Sequence, residues 1–416
     1  MNTKSQAHQL QTFLSCYTNL WNDEIMNEYP QSIAHYSKEW IETLDDLDAS
    51  ELYAVDCKLI PNKIANSSFA LFISTLKELS SLPMIEEFPE VPLEDWAFNG
   101  VKKKKRHEIQ KIVPILKKLK DTINYEYVVD IGGGVGHLSR VLSHYHSIPS
   151  ISVDRDSQFQ KNGIERLKKY RKIEGSRDVR FVHLNCGEKG NGEILKSIFK
   201  PSALTLGLHT CGALAIEVIQ NSIDYQTMGL LNFGCCYHRL TPERDFPLST
   251  FYKNNNFFKL NLFGLSLATR SHAEMSFFDY QTKERVKYYR YALHLFLMKH
   301  FNNKFFTDVG ECQIRIYWGS FSHYIKNKLD ELNLTHSFEE HDFTQFYEDP
   351  IIQKKLRVMW LCNIIRWQLG RALEVYLLLD RVEYLKEQGL DVKIEQYFNE
   401  VLSPRNIGIL ATLPTL

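Results

Sequence analysis

Short apolar strand patterns alternate with helical patterns between residues 125 and 237, and this alternation constrains the fold more than any other feature. The five apolar runs are YEYVVDIG, PSISVD, VRFVHLNC, ALTLGLHTCG and MGLLNFGCCY. Apolar strands separated by helices are typical of a parallel sheet that is covered on both faces. Because crossover connections are right-handed, the sequence predicts an α/β protein with a doubly wound sheet.

The sequence outside this alternation predicts three further regions around a core at residues 100–250. Residues 1–99 show helical spacing and end in the proline-rich stretch LPMIEEFPEVPLEDW, which resembles a linker. Residues 251–350 are aromatic-rich and predict a mixed insertion that acts as a substrate lid. Residues 351–416 predict a long helix, bent near Gly370, followed by two strands in an antiparallel hairpin at the sheet edge.

Charge is distributed unevenly, although the net charge of the chain is zero. Residues 1–100 contain sixteen acidic and five basic residues, a net charge of −11, whereas residues 101–120 contain nine basic residues and one acidic residue. A basic run is usually a solvated face, and the alternative is an anion-binding surface, for phosphates of RNA or for an acidic patch elsewhere on the protein. Lys103, Lys104 and Arg106 are the candidate phosphate contacts.

The cysteine pattern and the N-terminus indicate where the protein resides. The eight cysteines are scattered, apart from the adjacent Cys235 and Cys236, which is not the pattern of a secreted disulfide framework. The N-terminus lacks the basic start and apolar core of a signal peptide, and no stretch approaches the roughly 18 apolar residues of a membrane span. We therefore expect a soluble cytoplasmic protein with reduced thiols and no membrane partner.

The stretch VVDIGGGVGHLS joins the first predicted strand to a helix through a glycine loop. Its glycines fit GxGxG, through Gly132, Gly134 and Gly136. The dinucleotide fingerprint requires glycine at the sixth position, where this chain has His137. The Gly-Lys-Ser/Thr ending of a phosphate-binding loop is also absent. These features indicate a Rossmann-like core that binds a different adenosine cofactor.

Polar residues after the first three strands are the candidate cofactor contacts. Asp154 ends the second strand, 18 residues beyond Gly136, where an acid can accept hydrogen bonds from both ribose hydroxyls. Asp130 ends the first strand, where it can meet an ammonium group or organise the glycine loop. Asn185 and Cys186 follow the third strand, at the position that reads the adenine edge. The combination favours S-adenosylmethionine (SAM) over NAD.

Five stretches resemble a known family, the methyltransferase-like proteins that include methyltransferase-like protein twenty-five and a relative described by a ribosomal RNA adenine dimethylase domain. The stretches are DIGGGVGHLSRVL, LHTCGALA, NFGCCYHRL, LLLDRVEYLKEQG and LSPRNIGILAT. The arrangement HTCG … CCYH is also similar, more loosely, to that of a tRNA 2′-O-methyltransferase that acts on the acceptor stem. The resemblance implies a class I SAM-dependent methyltransferase. Because HTCG stands where an Asn/Asp-Pro-Pro-Tyr/Phe motif would follow the fourth strand, adenine dimethylation is not predicted.

Methyl transfer requires in-line positioning of the acceptor and, for a hydroxyl or a protonated amine, removal of a proton. Ligands of doubly wound sheets lie at the carboxyl ends of the strands, where His209 and His238 are expected. Both are candidate bases or orienting groups, and His209 is also a candidate cofactor contact. Tyr237 can stack on a substrate base, and Arg405 can hold a phosphate or carboxylate. Each of these residues can equally have a structural role at a strand end.

Three cysteines, Cys211, Cys235 and Cys236, are also expected at this edge. Cys236 is a candidate nucleophile that would add to a pyrimidine ring before methylation. Zinc binding with His209 or His238 is an alternative, but adjacent cysteines do not chelate as CxxC does, so no metal is predicted. The principal expectation is that these small side chains are buried beside the cofactor.

The function predicted from the sequence is direct methyl transfer from SAM to RNA, with tRNA favoured. One alternative is methylation of a small molecule or a protein under a closed lid. A second alternative is a non-catalytic module that binds SAM or RNA. Salt-dependent affinity for RNA separates the first two, because phosphate contacts release counterions.

Overall fold

The structure of the chain is a computed structural model that describes residues 2–87, 93–169, 176–188, 190–270, 275–303 and 306–414. The chain divides into two compact units. The first comprises Met1–Ser15, Leu79–Ala273 and Ala372–Leu416, and the second comprises Cys16–Glu78 and Glu274–Arg371.

Seven strands of the first unit form one sheet in the order β3-β2-β1-β4-β5-β7-β6. They are β1 (Tyr127–Ile131), β2 (Ser150–Asp154), β3 (Val179–His183), β4 (Ala203–Cys211), β5 (Gly229–Cys235), β6 (Asp391–Gln396) and β7 (Ile407–Thr412). The first five strands are parallel, and β7 pairs antiparallel with both β5 and β6. This order confirms the predicted doubly wound sheet with its antiparallel C-terminal hairpin.

The described residues also form nineteen α-helices and four short 3-10 helices. The α-helices are α1 (Thr3–Ser15), α2 (Thr18–Trp21), α3 (Lys38–Asp45), α4 (Ala49–Asp56), α5 (Ser68–Leu79), α6 (Lys103–Ile123), α7 (His137–His146), α8 (Ser157–Leu167), α9 (Gly192–Ile198), α10 (Leu214–Asp224), α11 (Pro242–Asp245), α12 (Thr250–Asn254), α13 (Leu262–Thr269), α14 (Phe277–Phe301), α15 (Ile314–Tyr317), α16 (Phe321–Glu331), α17 (Glu340–Glu348), α18 (Pro350–Trp367) and α19 (Gly370–Glu387). The 3-10 helices are Gln31–His35, Asn62–Ile64, Asp95–Phe98 and Tyr237–Arg239. None of the helices in the described ranges has the length and apolarity required to cross a bilayer.

The apolar face of α6 packs against the sheet and so sets the position of the basic residues on the same helix. Ile109, Ile112 and Leu116 recur at helical spacing and are fully buried in a cluster with Val128 and Leu231 of the sheet. Burying one such side chain contributes about 1.5–3 kcal/mol. The basic residues of α6 therefore stand on a helix whose position is set by its apolar side.

The proline-rich stretch predicted as a linker contributes to the edge of the sheet. The backbone N–H of Gln396 in β6 donates to Pro83 O at 2.8 Å, and the N–H of Ile85 donates to Gln396 O at 2.9 Å. Extended residues beside an edge strand cover its unpaired backbone groups. Residues 88–92 of the stretch lie outside the described residues.

The two units do not follow the predicted domain boundaries. Residues 1–99 are divided between both units, and so are residues 251–350. The region predicted as a mixed insertion forms α12–α17 and contains no strand among its described residues. The predicted bend near Gly370 is an interruption between α18 and α19.

Polar side chains are buried together in the second unit. Lys283 of α14 forms an ion pair with Asp56, and its ammonium lies 3.8 Å from the centre of the Trp367 ring. Arg366 of α18 contacts Glu24 at 2.8 Å. Burial raises the pKa of Glu24, but Lys287 and Arg366 outweigh it and lower the pKa overall. Each of these charges therefore has an opposite charge as its partner, and removing one partner would leave the other uncompensated inside the helical unit.

Gly163 of α8 provides a test of how closely the helices cover the sheet. A Cβ there would lie 2.9 Å from Cζ of Phe181 and 3.1 Å from the backbone oxygen of Val135 in the glycine loop. We expect Gly163→Ala to lower the free energy of unfolding by about 1–3 kcal/mol, measured by urea denaturation. The control is Gly192→Ala in α9, where no heavy atom lies within 4 Å of the added Cβ. Equal urea midpoints for the two variants would contradict this packing.

Candidate active site

A cavity of about 380 Å³ opens at the carboxyl edge of the sheet. Its lining residues come from the ends of β1, β2 and β4, from α10, and from the segments after β3 and β5. They are Ile131, Gly132, Val153, Asp154, Arg155, Leu184, Asn185, Cys186, His209, Cys211, Ala213, Leu214, Glu217 and Arg239. Five of the predicted cofactor residues are thus brought together here, as ligand sites in doubly wound folds require.

Two hydrogen bonds to side chains hold the glycine loop that follows the first strand. Gly132, Gly134 and Gly136 have φ values of 72°, 59° and 71°, a region that favours glycine. The N–H of Gly134 donates to Asp154 Oδ2 at 2.9 Å, and its carbonyl accepts from Gln160 Nε2 at 3.0 Å. The loop is therefore held by side chains from β2 and α8.

Asp130 lies beneath the glycine loop and is 2% exposed. It accepts a hydrogen bond from Ser139 Oγ at 2.7 Å, and burial raises its pKa although the nearby Lys105 opposes this. A Cβ at Gly133 would lie 3.0 Å from Asp130 Oδ2. Of the two roles predicted for Asp130, this placement favours organising the loop over a direct contact with an ammonium group.

Asp154 is half-buried at the end of β2, and both carboxylate oxygens are fixed by backbone N–H groups. Oδ2 accepts from Gly134 and Oδ1 accepts from Asp156, both at 2.9 Å. A carboxylate oxygen accepts more than one hydrogen bond, so each retains capacity toward the cavity. Further along the wall, Asn185 is exposed and Cys186 is buried, and burial raises the pKa of Cys186 to about 12.

His209 stands at an irregularity of β4. Its φ is 62°, and the pairing with β5 shifts between Leu208 and Thr210. A bulge of this kind redirects a side chain out of the regular alternation of a strand, and such strained backbone is concentrated at functional sites. The imidazole Nε2 lies 2.7 Å from Glu108 Oε1, and the same oxygen accepts from Ser403 Oγ at 2.7 Å.

Glu108 is 1% exposed and determines which ring nitrogen of His209 carries a proton. Burial alone would raise the pKa of Glu108, but the hydrogen bond and charge of His209 lower it to about 2. An ionised carboxylate only accepts hydrogen bonds, so Nε2 of His209 carries the shared proton. In neutral His209, Nδ1 is therefore the nitrogen that can accept another proton.

Glu108 was missed in the sequence interpretation, although it is the single acid between Val101 and Lys120. An acid beside Ile109 on the apolar face of a helix is a signal of a buried polar contact. Arg239 and Glu217 also line the cavity and were not predicted. Arg239 directly follows the CCYH residues, so its place next to this motif was a signal that could have identified it.

The thiols of Cys211, Cys235 and Cys236 meet at the ends of β4 and β5. Sγ of Cys211 lies 3.3 Å from the sulfur atoms of both other residues. Hydrogen bonds from Cys235 and Cys236, with the charge of Arg239, lower the pKa of Cys211 to about 5, whereas burial helps to raise the pKa of Cys236. The nucleophilic role of Cys236 stays a prediction, and these hydrogen bonds favour the thiolate at the neighbouring Cys211.

Tyr237, His238 and Arg405 lie outside the cavity lining. Tyr237 is 1% exposed and its hydroxyl lies 3.0 Å from Glu374 Oε1, which corrects the predicted stacking on a substrate. His238 is exposed, and its Nδ1 lies 3.3 Å from Thr269 Oγ1. Arg405 is 14% exposed and its Nη1 lies 3.7 Å from Glu374. An internal charge pair therefore replaces the predicted phosphate contact of Arg405.

The predicted phosphate contacts lie at the first turn of α6. Lys103 and Lys104 are exposed, and Lys104 Nζ lies 3.7 Å from Glu108 Oε1. Arg106 contacts Asp95 at 2.7 Å, and its guanidinium carbon lies 4.7 Å from the centre of the Phe98 ring. The two lysines are thus exposed one turn from the residue that binds His209, whereas Arg106 is held by neighbouring side chains.

The family model described as a methyltransferase domain matches residues 104–243, the part of the chain that contains the five parallel strands and most of the residues at their carboxyl edge. The chain is similar to the human and mouse proteins named Probable methyltransferase-like protein 25. It is 26% identical to the human protein over 247 residues and 25% identical to the mouse protein over 224 residues. These matches confirm the resemblance noted from the sequence.

The two matches cover 53% and 50% of this chain but 38% and 37% of the human and mouse relatives. The chain therefore matches less than half of the length of each relative. A solved structure from Staphylococcus aureus, assigned as a caffeoyl-CoA O-methyltransferase, is similar over 44% of this chain and 73% of its own. Its sequence identity is 14% and its TM-score is 0.23.

Proposed function

We propose that this chain is a SAM-dependent methyltransferase that acts on RNA, with tRNA favoured, by direct transfer of the methyl group. The observation that carries the proposal is that Asp154 and His209 line the same cavity. One residue suits the ribose of an adenosine cofactor, and the other suits proton removal from the methyl acceptor.

The residues of the cavity fit an adenosine cofactor. Ile131, Val153 and Leu184 offer apolar walls for adenine, and Asp154 offers acceptors for the ribose hydroxyls. The positive φ of Gly132 marks the position where the backbone approaches the ligand. When bound, SAM supplies an electrophilic methyl group on a sulfonium.

The side chains of the chain supply orientation and proton transfer. Glu108 holds His209 through Nε2, so Nδ1 removes a proton from a hydroxyl or a protonated amine of the acceptor. SAM bound in the cavity would supply the methyl group and would leave as a neutral thioether, so the side chains have only to orient the acceptor and take up its proton. General-base assistance of this kind contributes about 10²–10⁴-fold to a rate.

RNA is favoured as the acceptor because of the exposed basic turn of α6. Lys103 and Lys104 stand one helical turn before Glu108, where they can bind phosphates flanking the reacting nucleotide. The looser similarity of HTCG … CCYH to a tRNA methyltransferase favours tRNA within this class. The cytoplasmic location stays a prediction.

Incubation of the protein with methyl-labelled SAM and an extract of cells that lack it would test the proposal. We expect label in nuclease-sensitive RNA, and a decrease of at least about tenfold for the double variant Lys103→Ala/Lys104→Ala at physiological salt, because phosphate contacts are lost. The control is Lys196→Ala/Lys200→Ala, which removes two exposed charges on and beside α9. Label in protein or small molecules would support the alternative substrates. SAM binding without label anywhere would support the non-catalytic module.

A further inference from the structure

Three thiols from two neighbouring strands converge beside the cavity. The sulfur atoms of Cys211, Cys235 and Cys236 all lie within 4.8 Å of one another. Cys211 and Cys235 are the last residues of β4 and β5 and are directly paired in register. Cys236 follows in a left-handed conformation with φ of 53°, which brings its sulfur to 3.3 Å from that of Cys211.

We propose that Cys211, Cys235 and Cys236 bind one Zn²⁺ ion. Zinc takes thiolate ligands at about 2.3 Å in tetrahedral geometry, which separates the sulfur atoms by about 3.8 Å. The observed 3.3 Å contacts need an expansion of about half an ångström to reach that geometry. The register between β4 and β5 and the left-handed backbone of Cys236 bring the three sulfur atoms together. The fold itself therefore preforms the cluster.

The electrostatic surroundings of the cluster suit a metal ion. Zinc takes cysteine as the thiolate, so the ion displaces the thiol protons when it binds. Arg239 adds positive charge next to the cluster, which offsets part of the excess negative charge of three thiolates around one divalent ion. The convergence of the three sulfur atoms carries the proposal.

The fourth ligand position is the one that would face the cavity. Cys211 lines the cavity, whereas Cys235 is buried in the strand behind it. Three protein ligands with water in the fourth position is the arrangement of zinc sites that keep an exchangeable ligand. The ion would hold the ends of β4 and β5 together beside the methyl donor. A CxxC spacing is not needed for this site. Cys211 comes from β4, and the left-handed backbone of Cys236 brings its sulfur toward that of Cys211.

Metal content and cobalt spectroscopy test the proposal without a methyl-transfer assay, so its failure and the failure of the proposed function are distinguishable. The full chain, purified under reducing conditions, is expected to contain one equivalent of zinc. After chelation, added Co²⁺ is expected to give the absorption of tetrahedral thiolate coordination. Cys211→Ser is expected to weaken Zn²⁺ binding by at least about a hundredfold, because one of three ligands is lost. The matched control is Cys312→Ser, which changes a half-buried cysteine of the second unit.

Thiol protection gives a second readout if the serine variants do not fold. In the unmodified chain, Zn²⁺ is expected to slow alkylation of Cys211 and Cys236 and to leave alkylation of Cys312 unchanged, as measured by mass spectrometry. The proposal is overturned if the reduced protein takes up neither Zn²⁺ nor Co²⁺. It is equally overturned if Cys312→Ser loses as much metal as Cys211→Ser.

Discussion

Replacing Asp154 by alanine is expected to weaken SAM binding by about two to four orders of magnitude. A hydrogen bond to a charged group contributes about 1.5–3 kcal/mol, and two ribose hydroxyls would each lose one, a total of about 3–6 kcal/mol. In the unmodified chain, Asp154 accepts a hydrogen bond from the N–H of Gly134 at 2.9 Å. The alanine variant loses this bond, so the glycine loop is also held less firmly. Isothermal titration of SAM into each protein measures the effect.

Two variants separate the ribose contact from the turn that contains it. Asp154→Asn retains one acceptor oxygen and is expected to lose less affinity than Asp154→Ala. Asp156→Asn changes the N-cap residue immediately before α8, whose side chain accepts from the N–H of Gln158 at 2.8 Å. Asp156 does not line the cavity. We expect its SAM affinity to stay within about threefold of the unmodified chain, because asparagine also caps helices well. An Asp154→Ala protein that binds SAM normally would remove this residue from the cofactor site.

The core of the fold could be predicted because its signals are local. Each strand is a short apolar run, and the spacing from Gly136 to Asp154 lies within one strand-helix-strand unit. The antiparallel pairing of β6 and β7 followed from the short connection between them. The two compact units could not be predicted in this way, because local periodicity identifies helices but does not say which helices pack together.

The candidate site was predicted less completely because its contacts span long sequence separations. Glu108 and His209 are 101 residues apart, so no local pattern connects them. Tyr237 and His238 are neighbours in sequence, yet the 3-10 turn at Tyr237–Arg239 buries the first and exposes the second. The thiol cluster depends on the register between β4 and β5, which the spacing of cysteines along the chain does not reveal.

Replacing His209 by alanine is expected to lower kcat by about 10²–10⁴-fold, the range that a general base contributes. His238→Ala is the matched control, because His238 lies in the same stretch of candidate residues but outside the cavity lining. We expect its kcat to stay within about threefold of the unmodified chain, since exposed substitutions away from a site have small effects. Rates are measured with labelled SAM at saturating acceptor RNA. Equal losses in the two variants would contradict the assignment of His209.

Glu108→Gln tests whether the buried carboxylate acts through His209. Glutamine preserves the shape of the side chain and removes the charge, so kcat is expected to fall by about 10–100-fold while the Kd for SAM changes little, because Glu108 does not line the cavity. If Glu108 orients His209 and contributes nothing else, the double variant Glu108→Gln/His209→Ala should be no slower than His209→Ala alone. Additive losses in the double variant would instead mean that Glu108 supports the fold around β4 independently of the imidazole.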